Sequence, residues 1–311
     1  MSSGAHRVAV IDIGTNSARL LIADIQDERV EEVERRSTVT RLGGGVDLTG
    51  QLSADAVEAA CDAIAEYMTI VRETGVDAIE AIATSAVRDA ANGSAFVAEL
   101  RERFALSARV LDGDEEARLT YIGATSESPP SEPTLVVDIG GGSTELIVGS
   151  GEKIYFHTSM QAGVVRHTER HLSSDPPTAV ELEALATDVR GLIEAALAVH
   201  PPPPRANSGI AVAGTPTSLA AIEMELAPYD PTRVHGHRLS LRSIQRMLSR
   251  LASAPLAARM EVTGLHPDRA PTVVAGVVIL IETMRAFGLE EIEVSEHDIL
   301  YGAALAAADC G

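Results

Sequence analysis

Tryptophan is absent from this 311-residue chain, and aromatic residues make up only 3% of it. So few π-faces exclude the aromatic platforms on which nucleic-acid bases stack. Positive charge is scarce too: 25 Lys+Arg stand against 45 Asp+Glu, a formal net charge of −20, and Lys153 is the only lysine. That balance repels phosphate backbones, and no Lys/Arg run offers a local exception. The two cysteines, Cys61 and Cys310, belong to no C-x-x-C pair, which leaves out zinc-ribbon and thiol-redox motifs and fits a reducing compartment. The longest apolar run, Val273 to Ile281, is about half of the roughly 20 residues a membrane span needs. At the amino terminus the apolar stretch Val8 to Ile11 is stopped by Asp12, so no secretory leader is expected. The expectation is a soluble cytoplasmic protein with neither nucleic acid nor membrane as partner.

What is present is apolar and repetitive. Hydrophobic residues reach 45%, mostly Ala, Val, Leu and Ile, enough for buried cores, and the length suggests two domains. The run Val8-Ala9-Val10-Ile11-Asp12-Ile13-Gly14-Thr15-Asn16-Ser17 returns as Leu135-Val136-Val137-Asp138-Ile139-Gly140-Gly141-Gly142-Ser143-Thr144, offset by 126 residues (138 − 12). Each copy is followed by a second apolar run, Leu20 to Ala23 in one and Glu145 to Val148 in the other. Both copies therefore read as strand–turn–strand with Gly at the bend. The Ser/Pro-rich segment Thr125 to Pro133 reads as the linker, giving domains 1–126 and 127–311 and leaving open whether the last helix packs back on the first.

Helical patterns fill the intervals. Ser53 is placed to cap a helix carrying Val57, Cys61, Ile64, Met68 and Val71 at three- and four-residue spacings. A strand over Ala78 to Ala83 runs into a turn, Thr84-Ser85-Ala86-Val87-Arg88. Thr178 to Val199 predicts a long helix, stopped by Pro201 to Pro204, a stiff surface connector. Gly209 to Ala213 predicts a strand leading into Gly214-Thr215-Pro216-Thr217-Ser218-Leu219, a turn that opens a helix, and Thr272 to Arg285 predicts a buried helix.

Gly-rich turns after strands suggest phosphate binding, because Gly lets backbone N–H groups approach an anion closely. A P-loop is excluded, since Lys153 follows Glu152 in no Gly-Lys-Ser/Thr context. A dinucleotide fingerprint needs a helix after the turn, where this chain has a strand, and Gly43-Gly44-Gly45 lacks the same context. What remains is a clamp of two Gly turns, with Asp12, Asp138 and Glu145 as acids that could hold Mg²⁺. The alternative reading, ordinary hairpin turns capped by Asp12 and Asp138, is weakened by the two matching copies and by the Gly214-Thr215 turn after a third strand.

Asp12-Ile13-Gly14-Thr15-Asn16-Ser17, Arg41-Leu42-Gly43, Ala83-Thr84-Ser85-Ala86-Val87-Arg88, Asp138-Ile139-Gly140-Gly141-Gly142-Ser143-Thr144-Glu145 and Gly214-Thr215-Pro216-Thr217, in this order, resemble the Ppx/GppA phosphatase family. The resemblance runs from about Ala5 to Ala306. It implies an α/β fold of the actin/sugar-kinase/heat-shock ATPase superfamily: two ribonuclease-H-like domains with mixed sheets flanked by helices and an active-site cleft between them. The chain ends where longer members add a helical module, so it resembles the short, two-domain form. A weaker grip on very long substrates is the expectation that goes with that form. The resemblance also allows a homodimer.

The family's activity implies hydrolysis of the terminal phosphate of inorganic polyphosphate, with Mg²⁺ as cofactor. Guanosine pentaphosphate (pppGpp) is the alternative substrate, because the motifs are shared. Few aromatics to stack a guanine tilt the reading toward polyphosphate. A polyphosphate-dependent phosphotransferase and a non-catalytic sensor are more distant alternatives. Glu116 matches the family's water-activating glutamate, within Asp112-Gly113-Asp114-Glu115-Glu116-Ala117-Arg118, with Glu115 as the alternative base. If Asp112 caps the helix that follows, Glu115 takes the capping-box position and Glu116 is left for chemistry; if Gly113 caps, Glu116 is the structural residue. Asp138, Glu145 and Asp12 are the expected metal acids. Gly14, Thr15, Asn16, Ser17, Arg88, Gly141, Gly142, Ser143 and Thr144 are the expected phosphate contacts, with Arg41 and Arg166 as weaker candidates. Gly214-Thr215 is read as a wall of the substrate cleft. His167 and His171, four apart, could share a helix face, but Glu169 points nearly opposite, so no H-E-x-x-H geometry exists and zinc is set aside there and at His235-Gly236-His237.

Overall fold

The computed structural model describes residues 5–199 and 205–308; Pro201 to Pro204 and Cys310 of the sequence reading lie outside them. The chain forms two compact units, the first of residues 1–128 with 299–311 and the second of residues 129–298.

The first unit opens with β1 (His6–Ile13), β2 (Ser17–Gln26) and β3 (Arg29–Val39), followed by α1 (Val46–Thr49) and α2 (Ala54–Thr74). Next come β4 (Ala78–Ala83), α3 (Ser85–Asp89), α4 (Gly93–Phe104), β5 (Ala108–Val110) and α5 (Gly113–Thr125). Its sheet has the order β3-β2-β1-β4-β5, with β1–β2–β3 antiparallel and β1, β4 and β5 parallel.

β1 is apolar at every position from Val8 to Ile11 because both of its faces are covered. Ala9, Ile11 and Ile13 pack on one side with Ile64, Tyr67 and Leu100. Val8 and Val10 pack on the other with Leu119, Leu300 and Ala304. Ser53 caps α2 as its sequence predicts, accepting a hydrogen bond from the Ala56 N–H at 3.3 Å. The segment read as a turn after β4 is instead a helical turn, α3, nucleated when the Val87 and Arg88 N–H groups both donate to the Thr84 carbonyl.

The second unit repeats the plan. Its elements are β6 (Thr134–Ile139), β7 (Thr144–Ser150), β8 (Lys153–Met160), α6 (Val164–His171), α7 (Ala179–Val199), β9 (Ser208–Val212) and α8 (Gly214–Glu223). They continue with α9 (Pro231–Val234), β10 (Arg238–Ser240), α10 (Leu241–Ser253), α11 (Leu256–Met260), α12 (Val273–Phe287) and β11 (Glu291–Val294). The sheet order is β10-β11-β9-β6-β7-β8, so β8-β7-β6-β9 copies β3-β2-β1-β4 of the first unit. α12 is apolar nearly all round and almost wholly buried, as its composition predicts. α7 starts on a reciprocal capping box: the Thr178 N–H donates to Glu181 Oε2 at 2.7 Å and the Glu181 N–H to Thr178 Oγ1 at 3.3 Å.

The last helix, α13 (Ile299–Ala308), belongs to the first unit, where it packs on α5 and β1. Gly302 makes this approach feasible, because a Cβ there would stand 1.9 Å from the Leu119 carbonyl oxygen. Both units are thus mixed sheets flanked by helices.

Candidate functional site

In the first unit the chemistry-bearing residues gather at the carboxyl ends of three parallel strands. The register sets Asp12 beside Ile82 and Ala83 beside Val110, so the end of β1, the start of α3 and the start of α5 are neighbours. Open α/β sheets bind ligands at this edge. The turn between β1 and β2 closes with the Gly14 N–H donating to the Ser17 carbonyl at 3.1 Å.

Two segments brace that turn. The Gly43 N–H donates to the Thr15 carbonyl at 2.8 Å, and the Thr40 and Arg41 N–H groups donate to the Asn16 carbonyl at 3.1 and 3.0 Å. A Cβ on Gly43 would collide with Thr15 Cγ2 at 2.3 Å, which explains the Gly in Arg41-Leu42-Gly43. From α3, Ser85 Oγ and the Ala86 N–H engage Thr15 Oγ1 at 2.8 and 3.2 Å. A trans peptide points each N–H opposite to the preceding carbonyl. With the Thr15 carbonyl turned toward Gly43, the Asn16 N–H faces away from the brace. Thr15 therefore supports the turn through its side chain, and Arg41, an exposed residue in the left-handed region (φ 51°), contributes its backbone.

The start of α5 settles which acid caps it. Asp112 is the N-cap and accepts from the Glu115 N–H at 2.8 Å. The Glu115 side chain is half-exposed and pairs with Arg109. Glu116 turns inward and is only 7% exposed. Its Oε2 accepts from Arg88 Nη1 at 2.9 Å, while the same nitrogen donates to the Leu111 carbonyl at 2.8 Å. Burial pushes the Glu116 carboxyl above the usual range, Arg88 opposes that shift, and the negative charges of Asp12 and Asp89 reinforce it. Arg88, expected to contact phosphate, here pairs with Glu116.

The two hairpins differ where their charges face each other. In the second unit Asp138 lies directly across the antiparallel ladder from Glu145, so the two carboxylates share one face of the sheet. They are 7% and 1% exposed, and Glu145 Oε1 accepts from Ser159 Oγ at 2.7 Å. In the first unit the same register sets Asp12 across from Arg19. Arg19 Nε and Nη2 donate to Asp12 Oδ2 at 2.9 and 2.6 Å. Asp12, expected as a metal acid, therefore has a protein cation as its partner, whereas the equivalent position of the second unit holds a second acid.

The Gly140, Gly141 and Gly142 carbonyls turn toward α6, while the Ser143 carbonyl closes the turn by accepting from the Gly140 N–H at 3.0 Å. The Val164 N–H donates to the Gly140 carbonyl at 3.0 Å, the Val165 N–H to that of Gly141 at 2.9 Å, and Arg166 Nε to that of Gly142 at 2.9 Å. By the same peptide planarity the N–H groups of Gly141, Gly142 and Ser143 face the opposite way, a row of donors suited to an anion. Gly163 allows the close packing, since a Cβ there would lie 2.2 Å from the Gly141 carbonyl oxygen. Thr144, expected as a phosphate contact, is fully buried and its hydroxyl donates to the Ala162 carbonyl. Arg166 likewise supports the loop by its Nε contact.

The third turn, after β9, bends through Ala213 at φ 73° with Arg269 seated where a Cβ on Gly214 would be, 2.1 Å from Nη1. The Thr217 and Ser218 hydroxyls of α8 donate to the Ala213 and Gly214 carbonyls at 3.0 and 2.6 Å. His237 Nε2 meets Glu223 Oε2 at 2.7 Å and His235 stacks on His297, so that histidine pair diverges.

The sequence reading passed over Arg19, Ser85 as a brace, and Ser159. Arg19 could have been found by laying one repeat on the other, because it occupies the position of Glu145 (145 − 19 = 126). Ser159 comes from a third strand through register alone.

Comparison with known proteins identifies the family. The profile of the Ppx/GppA phosphatase family matches residues 21–306. Exopolyphosphatase 2 of Mycobacterium tuberculosis is 35% identical over 97% of this chain and 98% of that protein. A crystal structure described as an exopolyphosphatase-like protein superposes with a TM-score of 0.92 at 35% identity, covering 98% of both chains. The Ppx/GppA family member of Aquifex aeolicus gives a TM-score of 0.83 at 30% identity, again over 98% of both. This chain belongs to the Ppx/GppA phosphatase family.

Proposed function

We propose that this protein is an exopolyphosphatase, hydrolysing the terminal phosphoanhydride bond of linear inorganic polyphosphate and releasing orthophosphate. The observation that carries the reading is Glu116, a buried carboxylate held by Arg88 at the ligand-binding edge of its sheet. An acid kept from solvent and raised in pKa is a functional candidate rather than a capping residue, and Asp112 already performs the capping. Near-full-length similarity to exopolyphosphatases supplies the substrate class.

In this reading Glu116 orients a water in line with the terminal phosphorus. The water oxygen bonds to phosphorus, its proton passes to Glu116, and the bridging P–O bond breaks to leave a chain one phosphate shorter. Raising the pKa of the acid brings it nearer to the working pH of a general base. The N–H groups of Gly141, Gly142 and Ser143 donate to phosphate oxygens, as do Asn16 and Ser17, while Gly14 shapes its turn and Thr15 braces it. Arg88 fixes the rotamer of Glu116. Asp138 and Glu145 offer two buried hard-oxygen donors on one sheet face, a donor set that fits Mg²⁺. Bound Mg²⁺ would neutralise charge on the transferring phosphoryl group.

The test is orthophosphate release with Mg²⁺ from short and long polyphosphate and from guanosine pentaphosphate, by wild type and Glu116→Gln. Release from polyphosphate should fall by about 10²–10⁴-fold in the variant, the usual contribution of a positioned base, while binding persists. Release from the nucleotide alone would replace the substrate assignment. No release from any of the three would overturn the hydrolase reading.

A further inference from the structure

Away from these residues, helices α6 and α7 meet through a cluster the phosphatase chemistry does not use. His167 and His171 lie four apart on one face of α6, and Asp188 of α7 reaches both. Asp188 Oδ2 lies 2.8 Å from His171 Nε2 and 3.5 Å from His167 Nε2, and the three ligand atoms lie within 4.8 Å of one another. His167 is fully buried, yet neither of its ring nitrogens has a hydrogen-bond partner. Buried ring nitrogens that lack hydrogen-bond geometry, with the nearest acid 3.5 Å away, leave room for a ligand, because native interiors satisfy nearly all such atoms.

We propose that His167 Nε2, His171 Nε2 and Asp188 Oδ2 form a binding site for a divalent transition metal of the Zn²⁺ class, which would staple α6 to α7. Two imidazoles and one carboxylate are the donors such ions select, whereas Mg²⁺ prefers oxygen alone, so this site is chemically distinct from the acids of the β6–β7 hairpin. A tetrahedral ion about 2.0–2.1 Å from each donor sets donor atoms roughly 3.3 Å apart, a spacing that small side-chain shifts would reach from the observed contacts. Entry is open: His171 and Asp188 line a surface groove of about 800 Å³ together with Arg170, Glu183 and Thr187. A motif search looks for a glutamate within His-x-x-x-His, whereas here the carboxylate comes from the next helix, 17 residues beyond His171 (188 − 171). Arg170 competes for the same oxygen, with Nη1 3.2 Å from Asp188 Oδ2.

The experiment uses the full chain stripped with EDTA and titrated with Zn²⁺ alone against a chromophoric chelator, with thermal unfolding in parallel. One Zn²⁺ per chain should bind, with the melting temperature of the second unit rising by about 5 °C at 100-fold excess over Kd. Affinity should drop by more than about 100-fold in His171→Ala and in Asp188→Asn, beyond the loss caused by outer-shell changes. Both residues are partly exposed, so these variants do not depend on repacking a core. Arg170→Gln should bind more tightly than wild type. Absence of Zn²⁺ binding, or binding that persists in both His171→Ala and Asp188→Asn, would overturn the inference, and the latter would assign the ion to other acids.

Discussion

Arg88→Met would remove a guanidinium while keeping most of its aliphatic stem, leaving two acceptors stranded, Glu116 Oε2 and the Leu111 carbonyl. Breaking a buried ion pair on one side costs about 3–5 kcal/mol. The Arg88 side chain is 23% exposed, which places this pair near the lower end, at about 3 kcal/mol. The penalty depends on pH with a definite sign. Glu116 has a raised folded pKa, so in the window above the ordinary carboxylate value the folded state binds the extra proton and stability falls as pH rises. Without Arg88 that pKa goes higher still. The variant's deficit should therefore grow by about 1.4 kcal/mol per pH unit between the two folded pKa values. In Arg88→Met/Glu116→Gln most of the deficit should vanish, leaving about 1 kcal/mol for the unsatisfied Leu111 carbonyl. Urea titrations at pH 5 and pH 8, with hydrogen exchange by mass spectrometry to isolate peptides of β5 and α5, read these quantities. A deficit of equal size at both pH values, undiminished by Glu116→Gln, would refute the account of Arg88 as the counter-ion that makes a buried Glu116 tolerable.

Two further outcomes follow from the second unit. Burial pushes His167 down to about 4 from an ordinary 6.5, so unfolding takes up a proton across that interval. Metal-free protein should then lose up to about 3 kcal/mol of stability as pH falls through it, and His167→Leu should flatten that slope in acid-denaturation curves. Gly163→Ala would set a methyl 2.2 Å from the Gly141 carbonyl oxygen and force the Gly140–Ser143 loop aside. Orthophosphate release by that variant should fall by about 10²-fold, as a displacement near 1 Å can cause, with a stability loss of about 1–3 kcal/mol; unchanged kcat/KM would show that this loop does not position substrate.

Much of the fold was legible because it was written twice. The β-branched runs ending in Asp-Ile-Gly specify both hairpins, and the all-apolar residues 273–281 could only be a buried helix of ordinary length. Within the site, the choice between Glu115 and Glu116 hung on which residue caps α5, a one-residue phase that composition does not fix and the Asp112 hydrogen bond does. Thr144 looked like a phosphate donor because hydroxyls in a Gly turn usually are exposed, but it is already the first residue of β7 and points into the interior. Asp12 and Asp138 read as equivalents until cross-strand register set Arg19 against one and Glu145 against the other. Asp188 was invisible for the same kind of reason: helix packing, not spacing along the chain, brings it to His167 and His171.

The assignment of α13 to the first unit makes the second unit an insertion, entered after residue 128 and left before residue 299. During synthesis the inserted unit is therefore complete before the unit that contains it. Until Leu300, Tyr301, Ala303 and Ala304 emerge, Val8, Val10 and Leu119 lack the partners that cover one face of the first sheet. That face of the first sheet therefore lacks its α13 cover for as long as residues 129–298 are being made, and needs shielding from its neighbours over that interval.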